Sequence, residues 1–114
     1  MTQSTTTLPR PADGVNLMSH PNEAPWQDDG DGFLYKPLFE DPAAKMKTWL
    51  MRVEPGAEAP LHAHEELEQV YVIEGEFYDS EHTYGPGDFV VRAPGAMHTG
   101  GSHNGATVLL VYTA

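Results

Sequence analysis

The sequence contains no cysteine. Disulfides, thiolate metal sites and cysteine nucleophiles are therefore excluded, and a cytoplasmic protein is expected. Cationic side chains are scarce too. Six Lys and Arg stand against 17 Asp and Glu, for a formal net charge of −11. Such a surface repels phosphate backbones and anionic lipid, so neither nucleic acid nor a membrane is an expected partner. The acidity itself reads most simply as a solubility feature. Long apolar runs are also missing. No stretch is long enough to span a bilayer, and residues 1–20 hold no apolar core of signal-peptide length. The 114 residues are the span of one domain with a single modest core.

What is present is punctuated by proline and glycine. Residues 1–14, MTQSTTTLPRPADG, are polar and read as a mobile arm, leaving 15–114 as the folded domain. VNLM at 15–18 suggests a short strand docking on a sheet edge. HPNEAPWQDDGDG at 20–32 reads as loop, with Trp26 as an anchor onto the body. FLYKPLFED at 33–41 reads as extended, since Pro37 disfavours a helix. From Lys45 on, strand-like segments (MKTWLMRV, QVYVIEGEFYD, FVVRA, TVLLVYTA) alternate with the breaks EPGAEAP, GPGD and PGAMH. GPGD suits a type II turn with Pro86 and Gly87 at its centre. Only EDPAAKM suggests a helical turn. Short strands separated by frequent turn signals predict an all-β sandwich or barrel.

One stretch of this pattern carries chemistry. In a strand, side chains alternate between faces, so His62 and His64 share a face and Glu68 keeps the same parity. Val70 and Val72 continue that face into the core. Ionisable groups at the end of an apolar surface are costly unless paired or ligating. Imidazole plus carboxylate suits a divalent first-row metal such as iron, manganese, nickel, zinc or cobalt. A fourth ligand is expected from a neighbouring strand, and His98, following DFVVR and APGAM, is the best candidate.

The spacing Gly56, five residues, His62, one, His64, three, Glu68, six, Gly75 resembles the first motif of the cupin family at every fixed position. Gly87, Gly95 and His98 fall in place for the second motif. Two positions depart from it. Ala93 stands where proline is usual, with Pro94 one later, and Ser102 stands where asparagine is usual. Neither position is a metal ligand in the family. The connection between the motifs, 76–86, is short, as in small single-domain microbial cupins. From Ala24 on, the texture around the motifs resembles the group shared by the cupin domain of ChrR-type anti-sigma factors and acetylacetone-cleaving dioxygenases. ChrR-type factors also carry an N-terminal zinc-binding helical domain, which this sequence does not show, so the anti-sigma role itself is not expected.

The resemblance implies an antiparallel jelly-roll β-barrel with one metal at its mouth, held by His62, His64, Glu68 and His98. It favours Fe(II), with Zn, Mn or Ni as alternatives. In some members the carboxylate corresponding to Glu68 only hydrogen-bonds a ligand. The implied activity is a metal-dependent dioxygenase acting on a small diketone or hydroxyketone bound in the barrel. The alternatives are a non-catalytic sensor and a metal-dependent isomerase or lyase. A homodimer is expected, with residues 15–40 packing across its interface. Outside the site, His20, His82 and His103 read as loop residues, and Glu65 and Glu66 as solvated. Arg52 reads as a salt-bridging strand residue, with anchoring of an anionic substrate as its alternative. Trp49, Met51, Tyr71, Phe77, Tyr78, Tyr84, Phe89, Met97 and Tyr112 read as core or contact residues, a minority of which wall the pocket.

Overall fold

Alternation between faces is clearest at the end of the chain. In Ala106–Thr113 every second residue is buried, namely Ala106, Val108, Leu110 and Tyr112. A strand that buries one face needs a facing layer, and the chain supplies it with a second sheet. The computed structural model describes residues 7–114. Its strands are β1 (Gln27–Gly30), β2 (Phe33–Asp41), β3 (Met46–Val53), β4 (Glu58–His62), β5 (Leu67–Gly75), β6 (Phe77–Tyr78), β7 (Thr83–Tyr84), β8 (Phe89–Arg92), β9 (His98–Gly101) and β10 (Ala106–Thr113). Six form one sheet, in the order β1-β2-β3-β10-β5-β8, and four form the other, in the order β4-β9-β6-β7. All pairings between these strands are antiparallel. The fold is the expected all-β jelly roll, with two facing sheets rather than one continuously closed ladder.

The core lies between the sheets. Val53, Val70, Val72, Val108 and Leu110 come from the larger one, and Phe77 and Tyr84 from the smaller. Fully burying such a side chain contributes about 1.5–3 kcal/mol relative to leaving it exposed. Three turns shape the strand ends alike. In Glu54–Ala57, Gly85–Asp88 and Ala93–Ala96 the fourth residue's amide donates to the first residue's carbonyl at 3.0 Å. Each has Pro-Gly at its centre, and Gly56, Gly87 and Gly95 have φ of 82°, 88° and 81°. That is the type II pattern, which needs positive φ at its second central residue. It also accounts for Pro94: the proline stands one residue late because it occupies the first central position of its turn.

The structure departs from the sequence reading in three places. Residues 15–18 form no strand, and Val15, Leu17 and Met18 are exposed. The sheet edge they would use is taken by β1 and by Leu8, which bridges to Phe39. Part of the predicted loop 20–32 is β1, a hairpin arm turned by Gly30, Asp31 and Gly32, all at positive φ. The break EPGAEAP is a turn only over its first half, since β4 begins at Glu58. EDPAAKM does make a single 3-10 turn, Pro42–Ala44. Of the predicted arm, residues 1–6 lie outside the described residues. The amide of Leu8 donates to Leu38 at 2.9 Å, and Arg10 pairs with Asp41. Trp26 anchors as expected, with the Lys36 ammonium 4.7 Å and the Arg52 guanidinium 5.6 Å from its ring centre. Among the described residues no helix is long and apolar enough to cross a membrane.

Candidate metal centre

The two sheets each bring one half of the site. On the smaller sheet, His62 ends β4 and His98 begins β9, and the two are register partners. His64 lies just past β4. Its carbonyl accepts from the Gly95 amide at 2.8 Å, which ties the first histidine loop to the turn that leads to His98. The rings stand close, with centroids 4.9 Å apart for His62 and His64, 4.3 Å for His62 and His98, and 5.3 Å for His64 and His98. One nitrogen of each lies within 4.8 Å of the other two.

The imidazoles are set up as ligands. His62 Nδ1 donates to the Pro60 carbonyl at 2.7 Å, and His98 Nδ1 to that of Ala96 at 3.4 Å. A carbonyl only accepts, so each Nδ1 carries a proton, which leaves Nε2 as the nitrogen that can ligate. Burial, joined by the nearby Arg92 charge, holds His98 below the ordinary imidazole value of 6.5. That favours the neutral form a metal needs. The donor set therefore fits one divalent ion, and three histidines can hold it.

On the larger sheet, one row of residues crosses three strands. Glu68 on β5 is paired with Tyr112 on β10 and with Arg92 on β8. The Glu68 carboxylate faces the histidines, with Oε2 3.8 Å from His64 Nε2 and Oε1 3.7 Å from His98 Nε2. It is not in the mutually close set formed by the three histidines. Its Oε1 instead accepts from Arg92 Nε at 3.0 Å. Burial raises the Tyr112 phenol, and the charge and hydrogen bonding of Glu68 raise it further.

Arg92 forks. Its Nη1 donates to Asp79 Oδ2 at 2.7 Å, and Tyr84 donates to the same oxygen at 2.7 Å. Asp79 Oδ1 takes the amides of Glu81 and His82, both at 2.8 Å. Burial alone would raise the Asp79 carboxyl. The bonds from Tyr84, Arg92 and the two amides outweigh it and hold the group well below its ordinary value of 3.8. Burial and the bond to Asp79 push the Tyr84 phenol up to about 12.

The sequence reading singled out Arg52 and missed Arg92. Arg52 is exposed and stacks on Trp26. The signal for Arg92 was parity: it lies two residues from half-buried Val90 on a short strand and so faces inward. His103 lies in an exposed loop as expected, where it stacks on Tyr78 and bonds Glu76 at 2.9 Å.

The centre opens on a cavity of about 310 Å³. Phe33, Trp49, Met51, Phe77 and Leu110 give it apolar walls, and Asp29, Asp31 and Lys47 are its charged residues away from the histidines. The Lys47 ammonium sits 4.4 Å from the Trp49 ring centre and 4.8 Å from that of Tyr112.

The family model of the ChrR Cupin-like domain matches residues 15–114. The chain belongs to that family and is a ChrR-type cupin. Solved structures agree on the fold. An RmlC-like cupin from Shewanella frigidimarina is 21% identical, with a TM-score of 0.78 over 87% of this cupin and 91% of that chain. The polyketide cyclase RemF from Streptomyces resistomycificus is 20% identical, with a TM-score of 0.74 over 87% and 80%. The Rhodobacter sphaeroides complex of SigE with the anti-sigma ChrR gives 23% identity and a TM-score of 0.68, over 83% of this cupin and 51% of that chain. This cupin thus spans about half of that last chain. No curated protein is matched.

Proposed function

We propose that this cupin is a metal-dependent dioxygenase for a small enolisable carbonyl compound, a diketone or hydroxyketone. One divalent ion, iron(II) in the working state, would be held by His62, His64 and His98, with Glu68 as the fourth ligand. The observation that carries this reading is the set of three convergent imidazoles opening on an otherwise largely apolar cavity. Iron there supplies a Lewis acid for the carbonyl oxygens and redox chemistry for dioxygen. The cupin's own residues do the rest. Phe33, Trp49 and Met51 line the cavity and exclude water from the reacting carbons. Four protein ligands leave open positions on a six-coordinate ion, which two adjacent oxygens of a substrate can occupy.

The test begins with metal content per chain by mass spectrometry on untagged protein, beside His62→Ala/His64→Ala. The expected result is about one equivalent of iron in the wild type and none in the variant. Oxygen uptake with diketones and hydroxyketones should then depend on both iron and substrate. Tightly held zinc without turnover, after a check by iron reconstitution, would replace this reading with a sensor. The ChrR neighbour, solved in a complex with SigE, favours that second reading. Metal-free wild type would remove both.

The cupin is further proposed to form a homodimer. Tyr71, Ile73, Phe89 and Val91 are exposed on β5 and β8. Tyr71 pairs with Phe89 and with Leu109, and Val91 with Gln69, so no charge interrupts the patch at these positions. On a chain of net charge −11, an uncharged face is where a second copy meets least repulsion.

A further inference from the structure

We propose that Asp79, acting through Arg92, decides how Glu68 meets the metal. The guanidinium keeps Oε1 and leaves Oε2 alone for the ion. Asp79 is then a positioning residue, outside the residues that line the cavity. The inference rests on the metal reading above.

Asp79 has no spare capacity: Oδ1 holds two backbone amides and Oδ2 holds the Tyr84 hydroxyl and Arg92 Nη1. An arginine pinned on that side has one direction left for its Nε, and Glu68 Oε1 lies there at 3.0 Å. Arg92 and Glu68 are both buried, and Asp79 shows only 3% of its side chain. The guanidinium is a planar fork, so fixing one prong fixes the other. An oxygen that already gives one lone pair to a buried arginine is the poorer donor to a cation, so Glu68 favours ligation through Oε2. The charges follow the same logic. Arg92 alone beside a divalent cation would repel it, and Asp79 cancels that charge at 2.7 Å. The Glu68–Arg92–Asp79 chain thereby keeps a net negative charge for the metal.

The experiment is a titration of metal-free protein with Co(II). A competing chelator gives the Kd, and the visible absorption of the bound ion reports its coordination. Asp79→Asn should weaken binding by about tenfold or more and shift the spectrum, because Arg92 is no longer neutralised or held. Asp79→Glu should recover much of both, which a merely structural role for Asp79 does not require. Circular dichroism establishes that each variant is folded. Should Asp79→Asn fail to fold, Arg92→Lys is read in the same way, since an ammonium lacks the rigid planar fork that fixes one carboxylate by the other. Unchanged Kd and spectrum in a folded variant would overturn the inference and leave the metal centre standing, even if melting temperature fell. Failure of the wild type to bind Co(II) would overturn the metal reading and the inference with it.

Discussion

At the scale of single residues, the chemistry depends on how each polar group is held. Asp79 shows this most directly, because its carboxyl is held far below its ordinary value of 3.8 by its four donors. A group with a depressed folded pKa stabilises the fold above its unfolded value, and that stability is lost as pH falls below it. Asp79→Asn should therefore cost about 3 kcal/mol at neutral pH, since one partner of a buried pair is removed. Its stability should also fall less steeply than that of the wild type between about pH 4 and pH 2. Urea unfolding across that range is the measurement. Equal slopes would mean that other carboxylates carry the acid limb. His62, His64 and His98 were legible in the sequence through the motif spacing, although the strand parity read across 62–68 is broken where β4 ends at His62 and β5 begins at Leu67. The inward face of Arg92 was legible in its parity with Val90, but its pairing with Asp79 was not, because a pair 13 residues apart leaves no periodic trace.

At the scale of elements, the two glycines that frame the first motif do different work, since Gly56 sits in a Pro-Gly turn as Gly87 does and Gly75 is packed against the chain. Gly75 ends β5 at φ 81°, and a Cβ there would stand 2.7 Å from Ala106 Cα as well as against the Gly105 carbonyl. Gly87 has φ 88° in the 85–88 turn, and a Cβ there would meet nothing within 4 Å. Gly75→Ala should thus cost about 2–3 kcal/mol from overpacking added to backbone strain. Gly87→Ala should cost about 1 kcal/mol, from strain alone. Chemical denaturation of the two variants checks the difference, and equal losses would contradict it. The strands themselves were legible because proline and glycine bracket them. β1 was not, because its residues QDDG carry no strand propensity and pair only because β2 offers an edge.

At the scale of the whole molecule, the two faces of the larger sheet have separate tasks. The inner face carries Glu68, Val70 and Val72, and the outer face carries Tyr71 and Ile73. Phe89→Glu/Val91→Glu should turn the proposed homodimer into a monomer while leaving one metal per chain. Size-exclusion chromatography with light scattering reads the first outcome and mass spectrometry the second. A dimer that persists in this variant but weakens on deletion of residues 1–24 would move the interface to the N-terminal segment.

By itself the sequence determined the fold class and the family motifs that carry His62, His64 and His98. Those are carried by spacing along one chain, through the two-residue period of a strand and the positive φ of glycine in Pro-Gly turns. Only the tertiary structure decided what surrounds them. It set β5 between β10 and β8, so that Tyr112, Glu68 and Arg92 form one row, and it brought Asp79 from the segment after β6 to hold Arg92. The physical reason is that a buried ion pair is specified by register between strands and by the desolvation of both partners, and neither is written in the local order of residues.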